Sequence, residues 1–161
     1  MSPYRPDLVD VWLFREEPGA GLRILMLRRA PGRILAGLWQ GVSGGLEGDE
    51  RIVAGALREL REETGLRPAN LETFYDLDQV NQFHVAPVDG IVTAAVFAAR
   101  LRPGVEARLS HEHDAAEWLA PDEAIRRSVW PAYRESIVRI RDHLCDPAMA
   151  AWFEIGLAGE E

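Results

Sequence analysis

The sequence predicts an α/β fold: a mixed β-sheet lying between helices. Three observations carry that expectation. Stretches with strand character stand on both sides of one central amphipathic helix. A second helical pattern closes the chain, with Tyr133, Ile137, Ile140 and Leu144 at i, i+4, i+7 and i+11. The composition, 47% hydrophobic and 27% charged over 161 residues, is that of an ordinary globular chain with a real core.

The elements follow in order. DLVDVWLF (7–14) alternates and is aromatic-rich, which predicts a strand. EEPGAG is a turn, and LRILMLRR (22–29) is a second strand that closes a hairpin. APGRILAG is a proline- and glycine-broken loop. LWQGVSG is a short strand running into a glycine turn. Asp49 is placed to N-cap a helix from about Glu50 to Thr64, and Gly65 to end it. LETFYDLD (71–78) reads as a strand, and QVNQFHVAPVDG as a loop because of its polarity and proline. IVTAAVFAARL (91–101) is nearly continuously apolar, the mark of a strand buried on both faces. EARLS and AAEWL are short strand candidates. PDEAIRRS opens with proline at a first helical position. The apolar tail AMAAWFEIGL is suited to dock on its own domain or on a second copy in a homodimer.

Charge and cysteine usage exclude several classes. The formal net charge is −8, from 18 basic and 26 acidic residues. Nucleic-acid binders need basic stripes, so no nucleic-acid partner is expected. No apolar run approaches the roughly 18 residues of a membrane span. The N-terminal stretch carries acid and proline rather than a basic then apolar leader. Cys145 is the sole cysteine, which rules out an internal disulfide and fits a cytoplasmic setting.

The central helix raises the functional question. Glu59, Glu62 and Glu63 share one face at its C-terminal end, while Val53, Ala56, Leu57, Leu60 and Thr64 form a neighbouring face suited to the core. Acids at that end are disfavoured by roughly 0.3–1 kcal/mol each. Arg58 and Arg61 offset part of this; Glu47 and Glu50 either fold back toward the cluster or face away. A divalent cation reverses the sign of the energetics. Mg²⁺ takes oxygen ligands, usually a few carboxylates with phosphate oxygens and water.

The spacing goes further. Gly44, five residues, Glu50, seven residues, then Arg58-Glu59-Leu60, Arg61, Glu62-Glu63, Thr64 and Gly65-Leu66 matches the Nudix box at every fixed position. By chance this arises on the order of 10⁻⁹ per starting position at average residue usage, too rarely for a merely solvated acidic face. The chain thus resembles the Nudix family. The resemblance implies one α/β/α sandwich domain over 1–161, with a core of about 5–145 and a tail of 146–161. It implies hydrolysis of a nucleoside diphosphate linked to another group, with Mg²⁺ (or Mn²⁺). By position, it makes Glu59, Glu62 and Glu63 metal ligands and has Arg58 pair with a nearby glutamate to fix its rotamer. Glu47 assists, and Gly44 or Ser43 offers a backbone carbonyl. Three positions depart from the pattern: the usual Pro-Gly-Gly entrance is Val42-Ser43-Gly44, and the common glycine before the second box glutamate is Asp49.

More loosely, LWQGVSGGLE and the downstream SHEHDAAEWLAPDEAIRRSVWPAYRESI resemble the branch of dihydroneopterin triphosphate and (d)NTP pyrophosphohydrolases. That resemblance adds Glu112, six residues before Trp118, as a further carboxylate. The expected substrate is a small nucleoside polyphosphate, split to monophosphate and pyrophosphate. Glu62, Glu63 and Glu112 are all open as the proton acceptor. Arg28 or Arg29 is a candidate for phosphate contact, and Trp39, Phe83, Trp12, His84 and Trp130 for base stacking. Two histidines, His111 and His113, are too sparse for zinc and are expected as exposed loop residues. Two further readings compete: hydrolysis of ADP-ribose, a nucleotide sugar or a dinucleoside polyphosphate, and nucleotide binding without catalysis. Asn81 and Phe83 stand where the ADP-ribose and dinucleoside polyphosphate branches tend to carry proline and tyrosine.

Overall fold

The computed structural model describes residues 4–159; residues 1–3, the start of the stretch read for a leader, and 160–161 lie outside it. Among the described residues eight strands form one sheet. They are β1 (Leu8–Glu17), β2 (Gly21–Arg29), β3 (Trp39–Gln40), β4 (Val42–Gly45), β5 (Leu71–Val85), β6 (Gly90–Leu101), β7 (His113–Leu119) and β8 (Glu154–Ile155). The order is β3-β2-β1-β6-β5-β8, with β4 also on β1 and β7 on β2. β1 and β6 run parallel and the other pairs antiparallel, so the sheet is mixed, as the sequence predicts.

β1 shows how the sequence builds two layers. Its side chains alternate across the sheet. Val9, Val11 and Leu13 face α1 (Ile52–Thr64) together with Leu57 and Leu60. Trp12 and Phe14 face α2 (Pro121–Arg127) and α3 (Pro131–Arg139), where Ala124, Ile137 and Ile140 pack. Burial of each such large side chain contributes roughly 1.5–3 kcal/mol. The final helical stripe is present, but α3 passes into a π-helical turn at Ile140–Leu144. Among the described residues no helix is long and apolar enough to cross a membrane.

Several expectations are corrected. β5 does not stop at Asp78: residues 79–85 pair with β6 from Gly90 to Val96. A bulge between Asp76 and Gln79, with Asp78 at φ 50°, restarts the strand. Its outer arm projects into solvent, with Val80 and Phe83 exposed, while its inner polar side chains find partners: Gln79 donates to the Ala132 carbonyl and to Asn81, and Asn81 donates to Asp10. LWQGVSG is two strands, broken at Gly41, where a Cβ would stand 2.9 Å from the Val11 carbonyl oxygen and 3.2 Å from the Trp12 ring. Asp49 does not cap α1. The helix starts at Ile52 after Arg51, because Glu50 closes a turn on Glu47 and accepts the Glu47 N–H at 2.7 Å. EARLS is no strand; it is extended chain whose Arg108 and Ser110 N–H groups donate to the carbonyls of Thr64 and Glu63. It therefore satisfies carbonyls that the end of α1 leaves open. Gly65 ends α1 as expected, at φ 70°. The tail docks on its own sheet: α4 (Pro147–Ala150) leads to β8, which pairs with Phe74 and Tyr75.

Candidate active site

α1 positions the acidic cluster. Its apolar face fixes its rotation on the sheet, which carries Glu63 inward: Glu63 is only 2% exposed. Its Oε2 is buried with no hydrogen-bond partner. Burial, followed by the like charges of Glu59 and Glu112, pushes its pKa up to about 8. Burial likewise raises Glu59. Glu62 lies half-exposed on the next turn.

Arg58 is the counter-charge. Its guanidinium donates to Glu50 at 2.8 and 3.2 Å, Glu59 at 2.7 Å, Glu62 at 3.2 Å and the Gly45 carbonyl at 2.8 Å. The hydrogen bonds that it donates to Glu50 and Glu59 drive its pKa upward despite desolvation. Glu50 thus folds back into the cluster. Glu47 remains at the rim, 75% exposed and 4.0 Å from Arg58. Glu112 is carried in by the loop before β7, where its carbonyl accepts the Ala30 N–H at 2.8 Å, close enough for its charge to act on both Glu59 and Glu63.

Gly44 lies against Glu59: a Cβ there would overlap the Glu59 carboxylate. That group is the far end of a flexible side chain and can move at little cost in stability. Gly44→Ala is therefore expected to leave the thermal midpoint nearly unchanged while lowering turnover about tenfold or more, since small misplacements are costly in catalysis. Parallel melting and rate measurements check this.

The remaining candidates do not join the carboxylates. Arg28 forms a bidentate pair with Asp114, at 2.7 and 3.1 Å. Trp39 packs on the α3 side of the sheet, with the Arg127 and Arg28 guanidinium carbons 4.7 and 5.7 Å from its ring centroid. Phe83 stands on the outer arm of β5, 43% exposed. Trp12 is fully buried against Tyr133 and is a core residue rather than an open stacking platform. His84 and Trp130 are exposed. Arg29 donates to the Ile34 carbonyl, and its charge reaches Glu63.

Two features escaped the sequence reading. His113 is buried, not an exposed loop residue, with Nδ1 3.9 Å from Glu63 Oε2; burial lowers its pKa. Asp10 is buried in the middle of β1, where desolvation raises it to about 6 against hydrogen bonds from Ser43 and Asn81. One acid inside an otherwise apolar strand was the available signal.

Among the described residues no three His, Cys, Asp or Glu side chains already stand in metal-holding geometry. Arg58 lies among Glu50, Glu59 and Glu62 and takes up their charge. The donor set nonetheless suits a hard cation: all carboxylate oxygens, one of them buried and unpartnered on Glu63.

Known proteins resemble this chain in sequence and in fold. The sequence profile of the NUDIX domain matches residues 5–140. A protein of Myxococcus xanthus named octanoyltransferase is 37% identical over 123 residues, which cover 75% of this chain and 33% of that one. The CTP pyrophosphohydrolase of Escherichia coli is 28% identical over 118 residues, covering 68% and 76%. The chain thus spans a third of the first relative's length and about three quarters of the second's. A crystal structure assigned to the NUDIX hydrolases, from Listeria monocytogenes, superposes with a TM-score of 0.74 at 26% identity, covering 88% of this chain and 95% of that one. The E. coli dihydroneopterin triphosphate pyrophosphohydrolase shares the fold at a TM-score of 0.71 and 24% identity, with 88% and 97% covered. The chain belongs to the NUDIX family.

Proposed function

We propose that the protein is a Mg²⁺- or Mn²⁺-dependent pyrophosphohydrolase of nucleoside triphosphate-like substrates, releasing a monophosphate and pyrophosphate. The observation that supports this most is the crowding of Glu59, Glu62, Glu63 and Glu112, with a Glu63 oxygen buried and unpartnered. A chain of net charge −8 gains little from such crowding unless cations and a polyanion complete it. The likeness to CTP pyrophosphohydrolase supports a triphosphate substrate.

In this reading Glu59, Glu62 and Glu63 hold the cation, with Glu47 and the Gly44 carbonyl at its rim. When bound, the ion neutralises phosphate charge and lowers the pKa of the attacking water. Arg58 holds Glu59 and Glu62 in register. Glu112 adds the carboxylate from outside α1, and the water gives up its proton to one member of this set. Arg28 is the candidate for phosphate contact, and Trp39 and Phe83 for contact with the nucleoside. Octanoyl transfer is not proposed, because the site is built from carboxylates.

A nucleotide panel with Mg²⁺ tests the proposal. Pyrophosphate and monophosphate from a nucleoside or pterin triphosphate are expected, and none with a chelator. AMP and ribose phosphate from ADP-ribose, with no triphosphate turned over, would contradict it. So would binding without turnover.

A further inference from the structure

The end of α1 and the start of β7 bring two buried polar side chains together, each with unpartnered atoms. Glu63 is 2% exposed and His113 is 4% exposed. Glu63 Oε2 and both ring nitrogens of His113 are sealed from solvent and have no hydrogen-bond partner. His113 Nδ1 stands 3.9 Å from that oxygen. The gap is too long for a hydrogen bond. It is also too short for a bridging water, whose two bonds would hold the atoms about 4.5 Å apart. The pair is one small movement short of a direct bond.

The backbone fixes this meeting. The Ser110 N–H donates to the Glu63 carbonyl at 3.0 Å, and the His113 N–H donates to the Ser110 carbonyl at 3.4 Å. His113 then enters β7 opposite Arg29 of β2. The loop that delivers Glu112 is thereby tied to α1 at Glu63 itself. A buried imidazole is costly while its nitrogens go unused, and a buried carboxylate is costlier still. Either ring form can carry a proton on Nδ1, and the nitrogen that carries it is set by the acceptor in reach. Among the described residues neither ring nitrogen has another partner, which leaves Glu63 Oε2 as that acceptor.

We propose that His113 is a positioning residue for Glu63: its Nδ1–H donates to Oε2 and fixes the orientation of the carboxylate. The inference rests on the reading of Glu63 as a cation ligand. Each carboxylate oxygen has two lone pairs, so this bond leaves Glu63 able to hold an ion. A movement of less than about 1 Å turns the contact into an ordinary hydrogen bond. Outer partners of this kind typically alter metal affinity or activity about 10–100-fold.

Two measurements on the full chain test this. Histidine ¹⁵N–¹H spectra read which ring nitrogen of His113 carries the proton. With Mg²⁺ bound, Nδ1 is expected to carry it, with the downfield shift of a hydrogen-bonded proton. Mn²⁺ titration by calorimetry is the second measurement. His113→Phe keeps a ring without an N–H and is expected to weaken Mn²⁺ binding about tenfold or more. His113→Asn, whose amide can stand near the Nδ1 position, restores most of the affinity, which a residue that only fills space would not do. Should His113→Phe fail to fold, the wild-type spectrum decides alone. An unprotonated Nδ1 in the Mg²⁺-loaded protein, wild-type Mn²⁺ affinity in His113→Phe, or no recovery in His113→Asn overturns this inference alone. No Mn²⁺ uptake by the wild type overturns the reading of Glu63 and this inference with it.

Discussion

Glu63→Gln is expected to lower turnover at least about a hundredfold, the scale of losing one catalytic charge, and to stabilise the ion-free protein above neutral pH. Both effects follow from one side chain. Glu63 is buried with an unpartnered oxygen, and its neighbours are the acids Glu59 and Glu112. Folding raises its pKa from an ordinary 4.5 to about 8. A group raised in this way stabilises the fold fully below about pH 4.5, and the benefit is lost as pH rises through about 8. Without an ion the wild type should therefore lose on the order of a few kcal/mol between those limits. Glutamine keeps the shape but removes the charge. Thermal midpoints from pH 5 to 9, with chelator and with Mg²⁺, check this. The wild-type decline should be relieved by Mg²⁺ and be largely absent in Glu63→Gln. A residual decline near pH 6 belongs to Asp10, which burial raises to about 6. Identical pH profiles for variant and wild type, or near-normal turnover, would contradict the account.

Arg58→Met is expected to cost about 2–4 kcal/mol of stability. Removing one partner of a fully buried pair costs about 3–5 kcal/mol, and these groups are partly exposed. Arg58 bonds Glu50, Glu59, Glu62 and the Gly45 carbonyl through one planar group. Without it, three carboxylates are left close together, and Glu62 stands in the last turn of α1, where the helix dipole already disfavours an acid. Turnover should fall about 10–100-fold through lost orientation of Glu59 and Glu62. Arg58→Lys should recover little of either, because one ammonium cannot reproduce the fork. Urea unfolding with parallel rates tests this; full activity in the lysine variant would show that charge alone suffices.

The legible parts of the fold were those with strong periodicity. α1, its glycine stop and the closing helix could be read because buried residues recur at helical spacing. β6 could be read because it is apolar almost throughout. Residues 79–85 could not be read, because Gln79 and Asn81 are polar yet satisfied inside, and Val80 and Phe83 are apolar yet exposed on the outer arm. Polarity there reports tertiary partners, which local pattern does not contain. EARLS read as a strand because its alternation is real, but its partner is the end of α1 and not another strand.

The same division holds in the site. Glu59, Glu62 and Glu63 could be singled out by spacing along one helix. The inward turn of Glu63, the burial of His113 against it and the fold-back of Glu50 onto Arg58 depend on how β4 and the loop before β7 meet α1. Trp12 and Trp39 are indistinguishable as stacking candidates in the sequence. Only the sheet separates the one sealed in the core from the one at its margin.

Calorimetric titration of the protein with Mn²⁺ near pH 8, wild type beside Glu63→Gln, tests the central claim that these carboxylates hold a divalent ion. Saturable uptake by the wild type, weakened about tenfold or more in the variant, is the expected result. No uptake, or equal uptake by both proteins, would contradict it.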